Sequence, residues 1–120
     1  MSPTTSSPNS PLREQQCLPQ QRGDAPLTAT ATTELLPQVP QWQLATDGAA
    51  VSREFRFPDF HHTMAFVNAV AWIAHQQDHH PDLSVGYNRC TVRYATHAVG
   101  GLSLNDFICA ARIDALTTRS

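Results

Sequence analysis

The chain has 120 residues, 41% of them hydrophobic and only 15% charged, with a formal net charge of −2. That length suits one domain with an adequate core, and the charge balance lacks the basic field on which nucleic-acid binding depends. No apolar run approaches the roughly 18–20 residues that span a bilayer, and the opening Met1-Ser2-Pro3-Thr4 lacks the basic and apolar regions of a secretory signal.

Residues 1–26 are rich in Ser, Pro, Thr and Gln, with Leu12 and Leu18 their only large aliphatics. They bury too little apolar surface to offset the entropy of ordering, so a disordered tail is expected, with a folded domain over 27–120. Cys17, Cys90 and Cys109 are an odd set without a Cys-x-x-Cys pair. Reduced thiols and a cytoplasmic location are therefore expected.

Leu27 to Leu36 reads as a short helix with Thr28 as N-cap, ended by Pro37. Trp42 to Thr46 is a strand candidate with Trp42 as a core anchor, and Asp47-Gly48 signals a hairpin turn. Val51 to Phe57 alternates apolar and polar, the period of a half-buried strand. Pro58-Asp59 then starts a long helix. Its predicted stripe is Phe60, Met64, Val67, Ala71 and Ala74, widened by Phe66, Val70 and Ile73. His61 and His62, in its first turn, are expected to face solvent.

The helix ends in Gln76-Gln77-Asp78, and His79-His80-Pro81-Asp82 must be a connection, because proline disfavours helical geometry in the residue before it. Leu83, Val85 and Tyr87 alternate as a third strand, with Tyr87 expected to pack in the sheet. Cys90, Val92 and Tyr94 form a fourth, after a turn at Asn88-Arg89. Gly100-Gly101 interrupts the chain. Ser103 then caps a last helix with Asp106 at the third position, an acidic form of the capping box. Phe107, Ala110, Ala111 and Ile113 supply its buried face, and Asp114 is left for solvent. The order α-β-β-α-β-β-α predicts an α+β two-layer sandwich: a four-stranded antiparallel sheet with three helices on one face. Ser52, Glu54, Arg56, Thr91 and Arg93 would make the other face partly polar. An exposed edge strand invites a homodimer or homotetramer.

Four of the six histidines lie between His75 and His97. Imidazole exchanges protons near neutral pH, so the cluster points to acid–base chemistry or to metal binding. If the third and fourth strands form a hairpin, the loop carrying His79 and His80 and the strand end carrying His97 share one rim. Asp78 and Asp106 would lie near enough to orient the imidazoles, an arrangement suited to general acid–base catalysis.

The spaced pattern His75-x3-His79-His80-Pro81, Tyr87, His97, Asp106 resembles the signature of the pterin-4a-carbinolamine dehydratase family. Trp42, the Phe55-Arg56-Phe57-Pro58-Asp59-Phe60 run, Thr96-His97 and Gly101-Leu102-Ser103 fit the same family, over about residues 27–116. The resemblance implies dehydration of a 4a-hydroxytetrahydropterin to quinonoid dihydropterin and water, in recycling of the pterin used by aromatic amino acid hydroxylases. It implies no metal and no organic cofactor. By that resemblance the catalytic set is His79, His80 and His97. His79 and His97 act as general acids, and His80 mainly holds the pterin. Pro81 and the backbone of Thr96, Ala98 and Val99 complete the substrate site, with His75, Asp78 and Asp106 in support. His75 stands where the family often carries a carboxylate, which would tune His79 differently.

Other readings stand beside this one. His79 and His80 also fit an exposed polar loop, His97 a strand-end histidine, and Asp106 a helix cap alone. A three-histidine zinc site is the rival chemistry. Adjacent His79 and His80, however, present both rings to one ion with difficulty. The alternative function is a dimerisation or coactivator-type protein-binding module on the same fold.

Overall fold

The computed structural model describes residues 10–117. Its secondary structure follows local signals closely. Helix α1 (Ala29–Leu35) starts at Thr28, whose hydroxyl accepts the Ala31 N–H, and tightens into a 3-10 turn over Leu36–Gln38 with Pro37 inside it. Strand β1 is short (Gln43–Leu44), and Gly48 takes a positive φ of 73° in the turn leading to β2 (Val51–Arg56). Helix α2 (Phe60–Gln77) is capped by the Asp59 carboxylate, which accepts the His62 N–H. Strands β3 (Asp82–Val85) and β4 (Arg89–Tyr94) follow, then a 3-10 turn at His97–Val99 and helix α3 (Leu104–Thr117).

The four strands form one antiparallel sheet in the order β1-β2-β4-β3, so the predicted α+β architecture and element order hold. In the central pair Val51 opposes Tyr94, Arg53 opposes Val92 and Phe55 opposes Cys90. Apart from half-buried Arg53, this face is buried and meets the helices. The alternate residues Ser52, Glu54, Arg56, Thr91 and Arg93 are partly or fully exposed, as their polarity predicts. Trp42, Phe55, Phe66 and Phe57 make a chain of ring contacts between sheet and α2, with centroids 6.2, 4.6 and 5.0 Å apart. Trp42 is thus the core anchor its sequence position suggests.

Four expectations are corrected by packing. Residues 10–26 do not form a tail. Leu12 is 3% exposed inside the core, and Arg112 donates to the Gln15 carbonyl. Residues 1–9 of that expectation lie outside the described residues. On α2 the fully buried stripe is Thr63, Phe66, Val70, Ile73 and Ala74; Phe60 and Ala71 are exposed, and Met64 and Val67 only partly buried. The sheet and α3 approach α2 from the side of the predicted stripe's margin. Tyr87 lies beyond the end of β3, 65% exposed and stacked on Phe60, rather than packed in the sheet. Asp114 does not face solvent alone: its Oδ1 accepts from Trp42 Nε1 at 2.8 Å and from Arg53 Nη1 at 2.6 Å.

Helix α3 is buried on more than one side. Phe107, Ile108, Cys109, Ala110 and Ile113 are all within 1% of full burial, because α2 and the sheet cover one side and residues 10–17 pack against it as well. Among the described residues no helix is long and apolar enough to cross a membrane.

Candidate active site

The site begins where α2 stops. Asp78 takes a left-handed conformation (φ 51°, ψ 44°), and its N–H and that of His79 return to the carbonyls of Ala74 and His75. This is the double bonding that ends a helix when the next residue turns left. The chain thereby reverses, and the His79 ring enters the protein. Its plane lies 14° from that of Tyr94, centroids 5.2 Å apart, and the Tyr94 hydroxyl donates to the His79 carbonyl.

Behind His79 stands Asp106, fully buried at the start of α3. His79 Nε2 donates to Asp106 Oδ1 at 2.6 Å. The other oxygen accepts from the Thr96 hydroxyl at 2.8 Å and the Ser103 N–H at 2.9 Å. The Ser103 and Thr96 hydroxyls are 2.8 Å apart, so Ser103 can donate onward to Thr96. Three donors and the positive end of the helix macrodipole thus hold one buried carboxylate. Asp106 is both the cap foreseen for α3 and the partner of a histidine. Gly100 and Gly101 make this possible. Gly100 has a φ of 69°, and a Cβ on Gly101 would lie 3.1 Å from Pro26 Cβ. The tight turn pairs Thr96 with Gly101 and brings Thr96 beside Ser103.

Burial by itself would lower the proton affinity of His79. The hydrogen bond to Asp106 and its negative charge outweigh that effect and raise His79 above the ordinary histidine value. With Nε2 committed to Asp106, Nδ1 is the ring nitrogen left to exchange a proton. The histidine is only 12% exposed at its side chain, but it borders a cleft of about 560 Å³.

His80, His97, Thr96, Ala98 and Asp78 line the same cleft, so the structure brings together the three histidines singled out in the sequence. His80 and His97 are exposed there, in contrast to His79. Three expected residues are elsewhere. His75 is exposed on α2, its ring 6.0 Å from that of Trp72, and does not border the cleft. Pro81 turns the chain without lining the cleft, and Val99 is buried beneath the turn. Among the described residues no group of three or more His, Cys, Asp or Glu side chains is placed to hold one metal ion.

Sequence reasoning missed one wall of the cleft altogether. Cys17, Leu18, Pro19 and Gln20 form it, and the residues that follow β4 line the same cleft. Two side-chain amides hold this wall. Gln77 accepts the Cys17 N–H at 2.8 Å, and Asn105 brackets Leu18, accepting its N–H at 2.9 Å and donating to its carbonyl at 2.7 Å. No local pattern in residues 10–20 announces such contacts, since their partners lie 60 to 88 positions away.

Comparisons with known proteins agree with this geometry. Residues 25–116 match the family described as pterin 4 alpha carbinolamine dehydratase. A protein of Xanthomonas oryzae pv. oryzae is 61% identical over 102 residues, which cover 85% of this chain and 86% of that one. One from Stenotrophomonas maltophilia is 58% identical over 107 residues, covering 89% and 92%. Both carry provisional names as pterin-4-alpha-carbinolamine dehydratases. Among solved structures, a transcriptional coactivator/pterin dehydratase from Brucella melitensis superposes with a TM-score of 0.74 at 32% identity, over 78% of this chain and 99% of that one. A pterin dehydratase-like RuBisCO assembly factor of the alpha-carboxysome, 22% identical with a TM-score of 0.58 over 67% and 93%, shares the fold. With the family match spanning most of the described residues, this chain belongs to the pterin-4a-carbinolamine dehydratase family.

Proposed function

We propose that the cleft dehydrates a 4a-hydroxytetrahydropterin to the quinonoid dihydropterin and water, in the recycling of a pterin cofactor used by an aromatic amino acid hydroxylase. The observation that carries this reading is the buried His79–Asp106 pair opening onto a cleft that also holds His80 and His97. Hydroxide is a poor leaving group from C4a. The C–O bond breaks readily only if a proton reaches the oxygen as it departs, and a positioned acid contributes roughly 10²–10⁴-fold to such a step. His79 suits that role, because Asp106 keeps it protonated to a higher pH than a bare imidazole. His97, which lines the same cleft, is the second proton carrier, and exposed His80 holds the pterin ring. The hydroxyl leaves with the delivered proton as water, and the N5 proton of the pterin is lost to a deprotonated histidine, which gives the neutral quinonoid product and restores the acid. No metal or organic cofactor enters this scheme.

The test is the rate of dehydration of 4a-hydroxytetrahydropterin formed in situ, for wild type, His79→Ala and His97→Ala. Wild type accelerates the reaction, and each variant loses at least about tenfold of that acceleration. Absence of acceleration by folded wild type would overturn the reading.

A second reading has its own observation. Phe60 and Tyr87 are 50% and 65% exposed and stacked on each other at the start of α2 and the β3–β4 turn, and Trp72 is 60% exposed farther along α2, apolar groups that a partner could cover. The Brucella relative's name couples a coactivator to a dehydratase, and such a protein-binding role needs no histidine. A homodimer or homotetramer in the cytoplasm belongs to either reading. Retention of a protein partner by a His79→Ala/His97→Ala double variant that has lost turnover would separate binding from catalysis.

A further inference from the structure

Two of the three cysteines meet across the wall of the cleft. Cys17 Sγ lies 3.5 Å from Cys109 Sγ, although 92 positions separate them in the chain. Both are free thiols. Cys17 is half-buried and borders the cleft; Cys109 is fully buried on α3, three residues after Asp106. The peptide around Cys17 is held in place, with its N–H on Gln77 and the next residue bracketed by Asn105. The two sulfurs are therefore fixed in van der Waals contact, with one reachable from solvent through the cleft. Cys90, the third, is buried in β4.

We propose that Cys17 and Cys109 are a redox pair, oxidised by hydrogen peroxide to an intrachain disulfide that locks the 10–20 segment onto α3 as a fixed wall of the cleft. In the first step Cys17 sulfur attacks the peroxide O–O bond. One oxygen stays on sulfur as a sulfenic acid, and the other leaves as water with the thiol proton. Cys109 sulfur then displaces the sulfenic hydroxyl, and a second water departs with the Cys109 proton. Two thiols have together lost two electrons and one peroxide has become two waters. The contact between the two sulfurs lowers the proton affinity of Cys109, favouring the thiolate that performs this displacement, while the same contact and burial raise that of Cys17. Position, not acidity, assigns the first step to Cys17, the sulfur that borders the cleft.

The link joins a wall of the cleft to the helix that carries Asp106, so it holds the wall closed without touching the histidines. A dithiol reductant reverses it. Neither the pairing nor its test depends on the dehydratase reading.

The experiment treats the full reduced chain with hydrogen peroxide and reads three things: titratable thiols, intact mass and peptide map. Expected are loss of two of the three thiols, loss of the mass of two hydrogen atoms, and one crosslinked peptide joining Cys17 to Cys109 in a species of unchanged oligomeric state. Proteolysis within residues 10–20 slows on oxidation and recovers with dithiothreitol. Cys17→Ser shows neither the crosslink nor the slowing, while it retains the wild-type circular dichroism spectrum. The proposal is overturned if all three thiols survive peroxide that consumes free glutathione. It is equally overturned if oxidation ends in sulfinic acid or in an interchain disulfide, or if the crosslink forms without slowing proteolysis.

Discussion

Replacing Asp106 by Asn keeps shape and removes charge, and the structure sets the size of the effect. Asp106 accepts three hydrogen bonds, from His79, Thr96 and Ser103. An amide offers one acceptor oxygen, and its NH2 must face at least one of those donors. The Thr96 hydroxyl can rotate to accept instead, but the Ser103 N–H cannot. If the amide oxygen stays on His79, one buried N–H is orphaned, at a cost of about 1–3 kcal/mol in folding stability. If the amide flips, His79 loses its acceptor. In both cases the charge that raised His79 is gone and burial, which lowers it, prevails. Above the histidine's pKa each unit of downward shift removes about tenfold of the protonated acid. Turnover of 4a-hydroxytetrahydropterin at neutral pH should fall about 10- to 100-fold in kcat, within the range for losing a general acid. The loss should shrink toward acid pH, where His79 reprotonates. The assay is the pH–rate profile of both proteins, with urea unfolding to establish that the variant is folded. A folded variant with the wild-type alkaline limb would refute the claim that Asp106 sets the proton affinity of His79.

The same pair ties stability to pH. Because folding raises His79 above its ordinary value of 6.5, its stabilisation is complete below that value and is lost as pH rises through the folded-state value. The stability advantage of wild type over Asp106→Asn should therefore shrink from pH 6.5 upward in urea melts, and a constant gap would count against the linkage. Leu12→Ala should cost about 2–5 kcal/mol, the range for a buried leucine, and a cost near zero would mean that residues 10–17 do not pack on α3. His75→Glu, on an exposed face away from the cleft, should leave the pH–rate profile in place; a moved limb would return His75 to the site.

Much of the fold was legible because its signals are local. Thr28 and Asp59 cap helices through their own side chains, and Gly48 turns a hairpin; the long helix ends, as expected, ahead of the His79-His80-Pro81 connection, at the left-handed Asp78. That the three histidines share one rim was legible from the order of elements, since the hairpin of β3 and β4 returns His97 to the rim where His79 begins. The family resemblance, not the spacing, singled them out as a catalytic set. What escaped has non-local causes. The α2 stripe was centred wrongly because an 18-residue helix apolar on several sides offers more than one face. Which face is buried depends on where α3 and the sheet lie. Asp114 looked like a solvent residue because its partners, Trp42 and Arg53, sit on the far side of the chain. The 10–20 segment looked like a tail because no residue in it is strongly apolar apart from two leucines. Amides on α2 and α3 hold it, and those are ordinary surface residues until the segment arrives.

The wall of the cleft also imposes an order of assembly. Gln15, Cys17 and Leu18 emerge early in synthesis, yet they bond to Arg112, Cys109 and Asn105, which lie 97, 92 and 87 positions downstream. Contacts this distant in sequence close slowly, because a long loop must be ordered before they form. The segment must therefore wait, unpaired, until α3 has been made and docked, and only then complete the cleft. A nascent chain stalled short of Asn105 would already contain His79, His80 and His97 and still lack both the partner of His79 and the far side of its pocket.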